Sequence, residues 1–78
     1  MQPVARGESE PDYYEVLMVP EGATDEEIRA QYRRLAAVLH PDANPQRPDL
    51  AGERMKLLNE AKDMLLDPAR RAEYDARR

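Results

Sequence analysis

Apolar positions recur along this chain at helical spacing, and no segment alternates with the period of two that a half-buried strand requires. The clearest stripe is Ile28, Tyr32, Leu35 and Leu39, which at about 100° per residue fall in one narrow arc, with Ala36 at its edge. Thr24-Asp25-Glu26-Glu27 stands before it as a capping box: the threonine hydroxyl can take the Glu27 amide while the Glu27 carboxylate reaches back to Thr24. A second stripe, Leu50, Leu57, Leu58, Ala61, Met64 and Leu65, has Lys56, Glu60 and Asp63 opposite it, and Asp49 is placed to cap its start. Two shorter helices complete the pattern. Asp12, with Glu15 three positions on, opens a segment carrying Tyr13, Tyr14, Val16 and Leu17 and reaching toward Val19, before Pro20 and Gly22 break it. Asp67-Pro68 supplies a cap and a first-turn proline for a last helix through Arg70, Arg71 and Tyr74. The pattern predicts an all-α domain over residues 12–78 whose second and third helices form an antiparallel pair. Residues 1–11 (MQPVARGESEP) carry too few apolar groups to offset their ordering entropy and read as a flexible tail.

The break between the two long helices carries the chemistry. Proline has no amide donor and disfavours the helical conformation of the residue before it, so the second helix must end near His40, at His40-Pro41-Asp42. Taken alone, His40 is equally a solvated histidine favoured by a helix C-terminus, and Asp42 a turn residue. Arg29 and Arg33 share the side of the second helix opposite its apolar arc, with Arg34 flanking them and His40 ending their column. No acidic side chain occurs between residues 28 and 39, so this face is cationic. Its bland reading is a solvated surface supported by pairs such as Asp25 with Arg29.

Composition removes most alternatives. Seventy-eight residues allow one small core, and the absence of cysteine leaves packing alone to hold it, with no disulfide, zinc ribbon or catalytic thiol. With 12 basic and 16 acidic side chains the net charge is −4, which argues against generic affinity for nucleic acid or anionic membrane. His40 and Asp42 offer two metal ligands where a catalytic zinc needs three, and no second histidine exists. Ser9 lies in the tail and Thr24 is used as a cap, so no serine or threonine nucleophile stands beside the histidine. A non-enzymatic chain without metal or cofactor is expected. No apolar run approaches the roughly 20 residues of a membrane span, and the first residues lack the apolar stretch of a secretory signal. A cytoplasmic monomer is the expectation.

In register, these features resemble the J-domain of the DnaJ family of co-chaperones. Asp12-Tyr13-Tyr14-Glu15-Val16-Leu17 is similar to the family's first helix, and Ala23 through Leu39 to its second. His40-Pro41-Asp42 follows directly, and Asn59-Glu60-Ala61, Leu65, Asp67-Pro68 and Arg70-Arg71-Ala72-Glu73-Tyr74-Asp75 are similar to the end of the third helix and the fourth. The resemblance implies a four-helix J-domain with the His-Pro-Asp loop joining helices two and three. It further implies a domain that binds a heat shock protein 70 (DnaK-type) chaperone and stimulates its ATP hydrolysis. On that reading Arg29, Arg33 and Arg34 face an acidic surface of the chaperone, with Tyr32 and Asn44 at or near the contact. His40, Pro41 and Asp42 would trigger hydrolysis, Asp42 by pairing with a cation of the partner and Pro41 by fixing the loop. The rival reading keeps the fold and recruits a partner without stimulating hydrolysis. Four positions depart from the family pattern: Met18 stands where glycine is usual, Ala43 where a basic residue is common, and Met55 and Lys62 where Phe and Tyr are usual. No client-binding region follows Arg78, so the chain is expected to be an N-terminal fragment or an unusually minimal protein.

Overall fold

The computed structural model describes residues 10–78. Among them are four α-helices and no strand: α1 (Tyr13–Leu17), α2 (Asp25–Leu39), α3 (Pro48–Leu66) and α4 (Pro68–Arg77), with a single 3-10 turn, Pro41–Ala43, between α2 and α3. The fold is all-α, as the periodicity predicts. Most of the predicted tail lies outside the described residues. Its last two residues are held: the Glu10 carboxylate takes the Arg77 guanidinium at 2.7 Å, and the Pro11 carbonyl accepts the Tyr74 hydroxyl at 3.0 Å.

Each helix start has a local cause. Asp12 accepts the Glu15 amide, Thr24 and Glu27 close both bonds of the capping box, and Asp67 accepts the amides of Ala69 and Arg70 ahead of Pro68. The third helix differs from expectation. It begins at Pro48, with Arg47 in the cap position making no side-chain cap bond, so Asp49 lies inside the first turn. Proline suits that place because its missing N–H would have had no partner in the helix, and Asp49 there favours the positive end of the dipole.

α1 is shorter than its apolar run suggests, because Met18 turns left-handed (φ 57°, ψ 45°) directly after Leu17. The Met18 amide bonds the Glu15 carbonyl and the Val19 amide bonds the Tyr14 carbonyl. This is the Schellman closure that glycine usually makes. A side chain with a Cβ is strained in this conformation by about 1–2 kcal/mol, and Met18 gains little in return, since it is 69% exposed. The turn is held from outside by Gln31 of α2, whose amide donates to the carbonyls of Leu17 and Met18.

The core is one cluster. Leu17, Ile28, Leu58 and Leu65 are its largest fully buried side chains, joined by Tyr13, Tyr14, Ala23, Ala61 and Tyr74. α3 packs against each of the other three helices. Its predicted face is largely right: Leu58, Ala61 and Leu65 are buried and Leu57 and Met64 lean on them. Near its start, however, it is Ala51 that is buried, and Leu50 stays half-exposed. The α2 stripe supplies Ile28, with Tyr32, Leu35, Ala36 and Leu39 partly buried around it. Tyr32 bonds Asn59 while Leu39 lines a cleft with Leu50 and Ala51, so α2 and α3 run antiparallel, as expected from the short loop.

α4 locks α1 in place through Tyr74. Its hydroxyl accepts the Tyr13 amide, one of the orphan donors at the start of α1, and its ring lies 5.0 Å from that of Tyr13 and 6.0 Å from that of Tyr14. The Arg71 guanidinium donates to the Tyr14 hydroxyl and to the carbonyls of Glu21 and Ala23, which ties down the α1–α2 loop. Arg78 bonds Asp12 at 2.8 Å and Glu21 at 3.0 Å, and the Asp12 carboxyl is held below the usual carboxylate range chiefly by this bond.

Two outcomes follow for stability. Met18→Gly should relieve the left-handed strain and raise stability by about 0.5–1 kcal/mol, after allowing for the greater chain freedom of glycine when unfolded. The check is a higher urea midpoint at unchanged slope. The depressed Asp12 carboxyl contributes stability that is present above the ordinary aspartate range, near pH 4, and lost as pH falls through its lower folded value. Asp12→Asn keeps an N-cap but removes that ionisation, so the acid limb of a stability-versus-pH curve should flatten while the neutral limb falls.

Candidate functional site

The His40-Pro41-Asp42 loop is an exposed tip with a rigid interior. His40 closes α2, its amide bonding the Ala36 carbonyl at 3.0 Å, and its own backbone is extended (φ −60°, ψ 143°), as a residue before proline prefers. The chain then makes the 3-10 turn, in which the Ala43 amide bonds the His40 carbonyl and the Asn44 amide bonds the Pro41 carbonyl. The His40 ring folds over this turn, with Nδ1 accepting the Asp42 amide at 3.1 Å. An acceptor nitrogen carries no proton, so the neutral ring bears its hydrogen on Nε2. The Asp42 Oδ2 to His40 Nδ1 approach of 3.7 Å is therefore a proximity; an ion pair there would require protonating Nδ1 and losing the amide bond. The Asp42 side chain is 95% exposed, which leaves its carboxylate open to an external cation.

Asn44 braces the loop. Its side-chain amide donates at 2.8 Å to the Val38 carbonyl, one of the acceptors at the end of α2, and at 3.0 Å to the His40 carbonyl, which also accepts the Ala43 amide. The resemblance implies a place for Asn44 at or near a contact; the structure gives its side chain two internal bonds.

Arg29 and Arg33 are both exposed, and neither makes an ion pair among the described residues. The Asp25–Arg29 pair of the bland reading does not form; Asp25 lies 3.8 Å from Arg71 of α4 instead. Arg34 is set apart from the other two, donating to Gln31 at 2.8 Å. Tyr32 does not face solvent freely: its hydroxyl bonds Asn59 of α3, and the Lys62 ammonium sits 4.7 Å from its ring centroid. Lys62 stands where the family usually has a tyrosine. It spends its charge partly on the aromatic face.

Gln31 and Asn59 escaped the sequence reading as positioning groups. Gln31 links the α1 turn to Arg34, and Asn59 anchors Tyr32 across the helix pair. Their signal was weak, since an amide's partners on another helix leave no mark in local spacing. Glu60, read as a solvated residue, accepts the Tyr13 hydroxyl at 2.6 Å, and burial together with that bond pushes the phenol well above its ordinary value. Among the described residues no group of three or more His, Asp or Glu side chains is arranged to hold a metal, and no helix is long and apolar enough to cross a membrane. A cleft of about 300 Å³ beside Tyr74 is remote from the His-Pro-Asp loop, and the charged groups along it, Glu10, Asp12, Arg77 and Arg78, already pair with one another.

Asn44→Ala would leave the Val38 carbonyl without its side-chain donor and the His40 carbonyl with the Ala43 amide alone, and should cost about 1 kcal/mol. Amide hydrogen exchange should accelerate in residues 40–44 far more than in Leu58 or Ala61; equal protection in both variants would show that the brace is idle.

Comparison with known proteins agrees with this geometry. A family model described as the DnaJ domain matches residues 12–75. Over 64 residues, 82% of this chain and 16% of the relative, the sequence is 55% identical to a chaperone protein DnaJ of Caldicellulosiruptor saccharolyticus. Over 69 residues, 88% of this chain and 17% of each relative, it is 54% identical to chaperone protein DnaJ 2 of Mycolicibacterium paratuberculosis and to chaperone protein DnaJ 1 of Mycobacterium tuberculosis. The chain thus spans about one sixth of the length of these relatives. It belongs to the DnaJ domain family.

Proposed function

We propose that the chain acts as a J-domain co-chaperone which binds a heat shock protein 70 chaperone of the DnaK type and stimulates its ATP hydrolysis through His40, Pro41 and Asp42. The observation that carries this reading is the joint arrangement of a rigid, solvent-facing His-Pro-Asp loop with the Arg29 and Arg33 cations on the same helix. Charges of this kind steer and orient an acidic partner more than they add affinity. Asp42 offers a free carboxylate for a cation of the partner, and Pro41, with its ring-fixed φ and no amide, holds that carboxylate in a single loop shape. Arg34, bonded to Gln31, and Tyr32, bonded to Asn59, border the surface as oriented groups. The chain has no chemistry of its own on this reading; the reaction belongs to the partner.

The rival is a J-fold interaction module that recruits a partner without affecting hydrolysis. A nucleic-acid role is disfavoured by the net charge of −4. The deciding measurement is ATP turnover by a DnaK-type chaperone with added chain. Wild type should accelerate it, and His40→Gln should remove the acceleration while leaving the helical circular dichroism unchanged; equal rates with both would sink the co-chaperone reading. Arg29→Glu with Arg33→Glu should raise the concentration of chain needed for half-maximal stimulation by about tenfold at low salt, an effect that shrinks as salt screens the charges. Met55→Phe and Lys62→Tyr restore the family's usual residues on one edge of α3. If Met55 and Lys62 tune partner choice, the pair of changes should raise affinity for at least one chaperone in a panel.

A further inference from the structure

α3 is four residues longer than α2, 19 against 15, which is about 6 Å of helix. Its core-facing stripe therefore continues past the point where α2 stops at Leu39. At about 100° per residue, Leu50, Ala51 and Arg54 fall in the same arc as Leu58, Ala61 and Leu65, while Asp49, Glu53 and Lys56 lie on the far side; Arg47 precedes the helix in the cap position. Farther along, that arc is buried against the core; here it forms the wall of a cleft of about 200 Å³ lined by Leu39, Asn44, Arg47, Leu50, Ala51 and Arg54.

Three properties of this cleft stand out. Its apolar floor is incompletely covered, since Leu39 and Leu50 are only half-buried. Arg47 and Arg54 are exposed and, like the arginines of α2 and unlike Arg70, Arg71, Arg77 and Arg78, neither is paired with a carboxylate among the described residues. It also adjoins the His-Pro-Asp loop through Asn44, the side chain that holds the His40 carbonyl. A space of this size sits below the roughly 300–1,000 Å³ of small-molecule pockets and suits one aliphatic side chain. Two unpaired guanidiniums on its rim suit carboxylates on either side of that side chain.

We propose that this cleft is a second docking point, which takes an apolar side chain flanked by carboxylates from an acidic segment of the partner that engages the His-Pro-Asp loop. The proposal rests on the co-chaperone reading for the identity of the partner, but not for the chemistry of the cleft. Arg47 and Arg54 would add a contact at the α3 side of the loop, separate from the Arg29 and Arg33 column, and the two together would fix the angle at which the loop is presented.

The test has two arms. In the first, Arg47→Ser with Arg54→Ser is compared with Lys56→Ser with Arg70→Ser, which removes the same charge elsewhere, in ATP turnover by a DnaK-type chaperone. The cleft pair should raise the half-saturating concentration about tenfold with maximal turnover retained, and the control pair should not; equal effects from both pairs, or none, overturn the proposal. In the second, the chain is titrated to millimolar Glu-Glu-Leu-Glu-Glu or Lys-Lys-Leu-Lys-Lys peptide while its amide resonances are followed. The acidic peptide alone should shift Leu39, Asn44, Leu50 and Arg54, and the cleft pair of substitutions should abolish this. Shifts centred on Arg29 and Arg33, or no shifts, overturn it, as do peptide-free shifts that grow with protein concentration and so point to a second copy of the chain. If wild type fails to stimulate turnover at all, the co-chaperone reading falls, and the peptide titration alone decides the cleft.

Discussion

The buried stripe of α3, Leu58, Ala61 and Leu65, is the constraint on which the rest of the domain depends, because every other helix is set against α3 and the other helices have little to bury without it. α1 has five residues, too few to be stable as a helix in isolation. It persists because Tyr13, Tyr14 and Leu17 enter the same cluster and because Tyr74 takes the Tyr13 amide. α2 is longer and well capped, but its apolar stripe has only one fully buried member, Ile28, so its position is a consequence of packing against α3.

That packing decides the geometry of the loop. Because α2 lies antiparallel to α3, pinned by the Tyr32–Asn59 bond and the Lys62–Tyr32 contact, the end of α2 and the start of α3 are brought together over eight residues. His40-Pro41-Asp42 is thereby held at the tip of a rigid hairpin. The same arrangement leaves Arg29 and Arg33 on the outward side, where no carboxylate among the described residues pairs with them. A cationic surface can persist on a protein of net charge −4 because many acids are engaged elsewhere: three sit in the first turn of α2, one of them against Arg71, and four others pair with Arg77 and Arg78.

Local rules succeeded where the physics is local. The capping box at Thr24, the Asp67-Pro68 start of α4 and the stop at His40 each depend on side chains within four residues of the backbone groups they serve, and each is present as read. Asp49 misled because proline at Pro48 competes for the same start, and a proline-led first turn needs no side-chain cap. Met18 was recognised as a residue out of place, yet its left-handed turn is sustained by Gln31, thirteen positions away, which local spacing cannot reveal. Leu50 fits the helical stripe as well as Leu58 does, but stays half-exposed because α2 ends before reaching it.

By itself, the sequence determined the number of helices, their apolar faces, the break at His40-Pro41-Asp42 and the cationic column of α2, since periodicity, capping and proline geometry act within one or two turns. Membership of the DnaJ domain family was legible in the same residues, because its motifs stand in register along the chain. Only the tertiary structure decided which polar groups meet: Tyr74 with Tyr13, Arg71 with the α1–α2 loop, and Asn59 with Tyr32. Those meetings depend on how far one helix runs past another and on which side chain fills the space between them. Such quantities belong to the packed assembly and to no single stretch of chain.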